Sequence, residues 1–154
     1  MIRMIDWEAA SAEKPPLPPH SGMDHGTTTR RSAAARILVV EDDYFIAMEI
    51  ESALRDAGYE VVGIAATATE AEAMAHDMCP DMAVMDIRLA GRRDGVETAT
   101  ELYNKLDIRS LFATAHEDAE MRRRAAAARP LGWLAKPFSP TMLIDAVKAA
   151  LTQL

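Results

Sequence analysis

From residue 36 onward the chain alternates between two patterns. Short, largely apolar runs occur at Ile37–Val40, Tyr59–Ala65, Met82–Met85, Ser110–Thr114 and Leu131–Ala135. Runs of this length and composition read as strands buried on both faces. Between them apolar residues recur every three or four positions, the spacing of a helix with one face on a core. The first stripe is Ile46, Ile50, Ala53, Leu54 and Ala57; the second is Ala71, Met74, Ala75 and Met78; the third is Val96, Ala99, Leu102, Tyr103 and Leu106. A fourth helix starts at Glu117 and Asp118, acids that suit its positive dipole end, and carries Arg122, Arg123 and Arg124. The last stripe is Leu143, Ala146, Val147, Ala150, Leu151 and Leu154.

The punctuation agrees with this division. Gly58 closes the first helix, Thr69 is placed to cap the second, and Pro80 stops it. Asp94-Gly95 opens the third and Pro130 ends the fourth. Ser139 caps the fifth, with Pro140 at its first position. Five strand-then-helix units with short connections predict an α/β domain, a parallel sheet covered on both faces. The chain stops with the fifth helix, so a stand-alone domain with no attached effector is the expectation.

Residues 1–35 show neither period. They are rich in Ala, Ser, Thr, Pro and Gly and include Pro15-Pro16-Leu17-Pro18-Pro19. They read as a disordered leader, a solvated tail or a proline-rich docking segment, ahead of a domain at 36–154. His20 and His25 lack further ligands for a metal, and Met23 is an alternative start.

Composition narrows the class. A hydrophobic fraction of 49% in 154 residues supports one core, and 5% aromatics makes it aliphatic. The single cysteine, Cys79, excludes an internal disulfide and any multi-cysteine metal site, and its apolar helix-end context predicts an inert buried thiol. No apolar run has membrane-spanning length and the N-terminus lacks a signal-peptide core, so a cytoplasmic protein is expected, without a membrane partner. Net charge is −7; basic and acidic residues balance in 1–35, which leaves the whole deficit to the domain. An acidic domain is a poor match to the nucleic-acid backbone.

Candidate chemistry gathers at the strand ends, where ligands bind in parallel α/β sheets. Asp86 stands where the third strand runs out, Glu41 and Asp42 follow the first, Thr114 ends the fourth, and Lys136 follows the fifth. Three acids on one rim suit a hard divalent cation such as Mg²⁺, which takes oxygen ligands. A lysine and a hydroxyl beside them suit phosphoryl oxygens, and an aspartate can be a covalent acceptor. The plainer readings are that Glu41 and Asp42 cap the first helix and that Thr114 is an ordinary β-branched strand residue.

Val39-Val40-Glu41-Asp42-Asp43, Val84-Met85-Asp86, Asp94-Gly95, Ala113-Thr114-Ala115 and Lys136-Pro137-Phe138 together resemble the receiver domain of two-component response regulators, over residues 36–154. The resemblance implies the flavodoxin-like (βα)5 fold, a doubly wound parallel five-stranded sheet of order 2-1-3-4-5; the chemotaxis receiver, a different protein, has that order. It implies a Mg²⁺-dependent phosphorylation switch of a two-component phosphorelay, not an enzyme with a separate substrate. Asp86 is then the phosphoacceptor, served by a sensor histidine kinase or a histidine phosphotransfer protein. Glu41, Asp42, Asp86 and the Arg88 backbone carbonyl hold Mg²⁺. Thr114 is the switch hydroxyl, Lys136 the cation of the phosphoryl group, and Lys136-Pro137 a cis peptide. Trp133 is at the aromatic switch position, with plain core packing as the alternative. Output goes to an unidentified protein target through a surface around the fourth helix, fifth strand and fifth helix. Arg88 and His116, each two positions beyond a site residue, flank the phosphoryl group and shield it, or else point to solvent.

Leu89-Ala90-Gly91-Arg92-Arg93 lacks the proline common after the phosphoacceptor and is about one residue longer than in chemotaxis-type receivers. It resembles a subgroup of alphaproteobacterial stress and cell-cycle signalling; Phe112-Ala113-Thr114 is similar to that subgroup's motif, without the glycine after Thr. The rival reading is a Mg²⁺-dependent phosphohydrolase with an Asp nucleophile. The haloacid dehalogenase type wants Asp-x-Asp after the first strand, where this chain has Glu41-Asp42-Asp43. A metal-dependent nuclease-like or primase-like fold wants it after a later strand, where this chain has Asp86-Ile87-Arg88. A P-loop protein is excluded by the missing Gly-rich Lys-Ser/Thr motif.

Overall fold

A computed structural model describes residues 33–154. Most of the leader, with His20, His25 and Met23, lies outside the described residues. Five strands and five helices alternate: β1 Arg36–Val40, α1 Tyr44–Asp56, β2 Glu60–Ala65, α2 Ala68–Met78, β3 Met82–Met85, α3 Gly95–Leu106, β4 Arg109–Thr114, α4 Ala119–Ala125, β5 Gly132–Ala135 and α5 Pro140–Leu151. All strand pairs are parallel and the order is β2-β1-β3-β4-β5. The expected sheet order is observed.

Strand side chains alternate between two apolar layers. Ile37, Val39, Val84, Leu111 and Leu134 face α1 and α5, where Ile50, Leu54, Leu143 and Val147 meet them. Leu38, Val40, Ala83, Met85 and Phe112 face the other side, against Ala71 and Ala75 of α2 and Val96, Ala99 and Leu102 of α3. Leu54 is wholly unexposed, and burying a side chain of that size contributes about 1.5–3 kcal/mol. Ala57, Met78 and Leu154, the C-terminal ends of three predicted stripes, are exposed, whereas Ala71, Val96 and Leu143 at the starts of theirs are buried.

Two local expectations are corrected. Thr67, not Thr69, caps α2: it is extended and its hydroxyl accepts from the Glu70 amide at 3.2 Å. β2 ends at Ala65, so only a short turn separates it from the helix. Cys79 is exposed rather than buried. It is the left-handed C-cap of α2, and the turn carries its side chain off the core while Pro80 takes the buried position. The fourth helix is short; it tightens into a 3₁₀ turn at Ala126–Ala128 and stops at Arg129, which has φ +47°, just ahead of Pro130.

Candidate functional site

Register assembles the site. The parallel ladders run one residue past the strands: Glu41 N donates to Ala65 O at 2.9 Å, Asp86 N to Val40 O at 2.8 Å, and Lys136 N to Thr114 O at 2.9 Å. Because β1 and β3 are neighbours, Glu41 and Asp86 emerge side by side. Because β4 and β5 are neighbours, Thr114 and Lys136 do the same on the other flank. One carboxylate oxygen from each of Glu41, Asp42 and Asp86 lies within 4.8 Å of the others.

The capping role that the sequence leaves open to Glu41 and Asp42 is filled by Asp43. Its Oδ1 accepts from the Phe45 and Ile46 amides at 2.9 and 3.1 Å. That leaves Asp42 exposed at the mouth of the cluster and Glu41 buried beneath it.

Lys136 Nζ lies 2.6 Å from Glu41 Oε2 and 3.4 Å from Asp86 Oδ2. The resemblance pairs this lysine with the phosphoryl group; in this structure its nearer partner is Glu41. Burial pushes the Glu41 carboxyl above its ordinary value, and the charge of Asp86 adds to the push. Hydrogen bonds from Lys136 and the Asp43 amide offset it in part. Asp86 is buried, and its Oδ1 accepts from the Ile87 amide at 2.8 Å. The set is all oxygen, without nitrogen or sulfur donors, which fits a hard cation such as Mg²⁺ and not a soft one.

The Thr114 hydroxyl is turned into its own loop: it accepts from the His116 amide at 3.3 Å and donates to the His116 carbonyl at 3.1 Å. His116 and Arg88 are both exposed. Trp133 is half-buried, stacked on Phe112 with centroids 4.8 Å apart. The Arg122 guanidinium lies 5.5 Å above its ring and also pairs with Glu117. The Lys136–Pro137 peptide is cis.

Two features go beyond what the residue pattern conveys. The pattern gives Gly95 only the role of opening α3, yet a Cβ there would stand 1.8 Å from the Asp86 carbonyl oxygen. Gly95 N donates to Ile87 O at 2.7 Å, so α3 begins pressed against the backbone of the loop that carries Asp86. Tyr44 and Phe45 are 70% and 79% exposed in the first turn of α1, next to the acidic rim. A pair of aromatics just ahead of the Ile50–Leu54 stripe, in a chain this poor in aromatics, is the available signal.

A family model for the response regulator receiver domain matches residues 37–148. The transcriptional regulatory protein PdtaR of Mycobacterium tuberculosis is 36% identical over 130 residues, covering 83% of this chain and 63% of that protein. The chain thus spans less than two thirds of that relative's length. The chemotaxis protein CheY of Thermotoga maritima is 29% identical over 114 residues, covering 73% of this chain and 93% of that one. The signal receiver domain of a modulated diguanylate cyclase from Desulfovibrio desulfuricans superposes with a TM-score of 0.72 at 35% identity, covering 78% of this chain and 95% of that one.

Proposed function

Since the chain belongs to the response regulator receiver family, we propose that it is a phosphorylation switch with Asp86 as acceptor. An Asp86 carboxylate oxygen attacks the phosphorus of a phosphohistidine on a kinase or phosphotransfer protein. The P–N bond breaks, its electron pair stays on the imidazole, and an acyl phosphate forms. Water later attacks the phosphorus, which restores the carboxylate and frees inorganic phosphate.

The observation that carries this reading is the juxtaposition of a buried acceptor, two further acids and an ammonium on one rim. Glu41, Asp42, Asp86 and the Arg88 carbonyl are the groups to hold Mg²⁺, which when bound would neutralise charge on the phosphoryl oxygens. Asp86 is fixed by the Ile87 amide, so the nucleophile is oriented before the donor arrives. Lys136 can give up part of its contact with Glu41 to hold a phosphoryl oxygen. Thr114 can exchange its bonds to His116 for another, and the loop at 115–118 follows. That movement reaches Trp133 through the Glu117–Arg122 pair. Arg88 and His116 flank the acyl phosphate and slow its loss. Output is by contact with another protein, in the cytoplasm, without catalysis on a separate substrate. Among the described residues no helix is long and apolar enough to cross a membrane.

The test is to incubate the full chain, as a Trp7→Phe variant, with Mg²⁺ and a small acyl phosphate donor, and to follow mass and Trp133 fluorescence. An adduct absent from Asp86→Ala, with a fluorescence change that tracks it, is expected. No Asp86-dependent adduct would overturn the reading. Faster phosphate loss from Arg88→Asn and His116→Ala is the expected sign of shielding; unchanged rates remove that role.

A further inference from the structure

The loop that follows Asp86 is strapped down on both sides. Ala90 N donates to Ala66 O at 3.2 Å, and Ala90 forms an isolated parallel bridge with Thr67. Arg93 pairs with Glu72 of α2, and Asp94, the N-cap of α3, pairs with Arg124 of α4 at 2.6 Å. Gly91, at φ +97°, supplies the left-handed turn between the straps.

These straps hold open a hollow of about 320 Å³. Arg88, Arg92, Arg93 and Arg124 stand around it, with the half-buried Leu89 and Met121 as its apolar part. Glu72 and Asp94 neutralise Arg93 and Arg124. Arg88 and Arg92 are exposed, and neither makes an ion pair or a side-chain hydrogen bond with the described residues. On a chain of net charge −7, this is a local positive island beginning two residues from Asp86.

We propose that this hollow is the docking site for a short acidic segment of a partner protein, in which an apolar side chain is flanked by carboxylates. Guanidinium groups pair bidentately with carboxylates, and Leu89 and Met121 offer contact to the apolar side chain. A long polyanion fits worse, because it would run off the island onto an acidic surface. The regulated half rests on the phosphorylation reading. A phosphoryl group on Asp86 adds negative charge beside the island and competes for Arg88, so the acidic segment binds the unphosphorylated form more tightly and is released on phosphorylation.

The first arm uses the unmodified full chain and a short capped peptide alternating glutamate and leucine, titrated to millimolar concentration and followed by amide NMR. Shifts at residues 88–93 and 121–124 are expected. Arg92→Glu is expected to weaken binding tenfold or more while the Asp86 adduct still forms by mass. No binding, shifts elsewhere, equal binding by Arg92→Glu, or equal or tighter binding of the glutamine analogue or of an oligonucleotide of the same charge would each overturn the site. The second arm repeats the titration on chain shown by mass to carry the adduct. Binding weaker by several-fold is expected, and equal or tighter binding overturns the regulation. Failure to form the adduct overturns the phosphorylation reading and the regulated half with it, and leaves the site to be judged by the first arm.

Discussion

Lys136 Nζ lies 2.6 Å from Glu41 Oε2, a contact between a nearly buried ammonium and a buried carboxylate. Removing the ammonium strands the carboxylates of Glu41 and Asp86 together. Lys136→Met is expected to lower the unfolding free energy of the metal-free protein by about 3 kcal/mol, the usual cost of leaving one buried charge unpaired. Mg²⁺ should restore part of the loss by supplying another cation to the folded state alone. Urea unfolding with and without Mg²⁺ measures both effects; a gap indifferent to Mg²⁺ would contradict the placement of the cation.

The raised Glu41 carboxyl makes a second expectation, with a definite sign. A carboxyl whose value is higher folded than unfolded binds its proton more tightly in the fold. Its favourable contribution is therefore complete below the ordinary value of 4.5 and is lost as pH rises through the raised folded value. Glu41→Gln, which keeps an acceptor for Lys136 without the charge, should gain stability relative to the parent as pH climbs through that window. Chelator-treated samples unfolded in urea across the window test this. A difference that shrinks with rising pH would mean the sign is wrong.

Gly95→Ala should be severe for so small a change. Its Cβ would meet a backbone oxygen, not a flexible side-chain end, so either α3 or the loop bearing Asp86 must move. A loss of roughly 2–4 kcal/mol is expected, at the upper end of overpacking costs. Weaker Mg²⁺ binding should accompany it. Unfolding midpoints together with a Mg²⁺ titration distinguish a shifted Asp86 loop from a general loss of stability.

Asp43→Ala separates the cap from the acidic cluster. Losing the hydrogen bonds to Phe45 and Ile46 should cost about 1 kcal/mol. Mg²⁺ affinity should change far less than in Asp42→Ala, because Asp43 spends its carboxylate on the helix. Calorimetric Mg²⁺ titration of the two variants settles the division of labour; equal losses would place Asp43 in the metal cluster.

These cases show what the residue pattern could and could not convey. The sheet was legible because buried parallel strands are largely apolar, and the acids stand out where the first and third runs stop. Which acid caps α1 was not, since Glu41, Asp42 and Asp43 differ only in where the ladder ends and the helix begins. Cys79 misleads because Pro80, not the thiol, fills the buried position after α2. The pressure of Gly95 on Asp86 depends on how α3 leaves the loop, which no local spacing encodes. Likewise Arg92 and Arg124 are distant in sequence, and only the straps on the loop after Asp86 bring them to one hollow.

The separation of 95 positions between Glu41 and Lys136 carries a consequence for how the molecule is made. The acids appear early in synthesis, on the first and third strands, while their cation arrives only with the turn after the last strand. A partly made chain therefore holds the acidic cluster without its counter-charge. Under the proposed reading of Asp86, the site is complete only when β5 joins the sheet and brings Lys136 to the acids, so acceptance of a phosphoryl group and completion of the fold would go together.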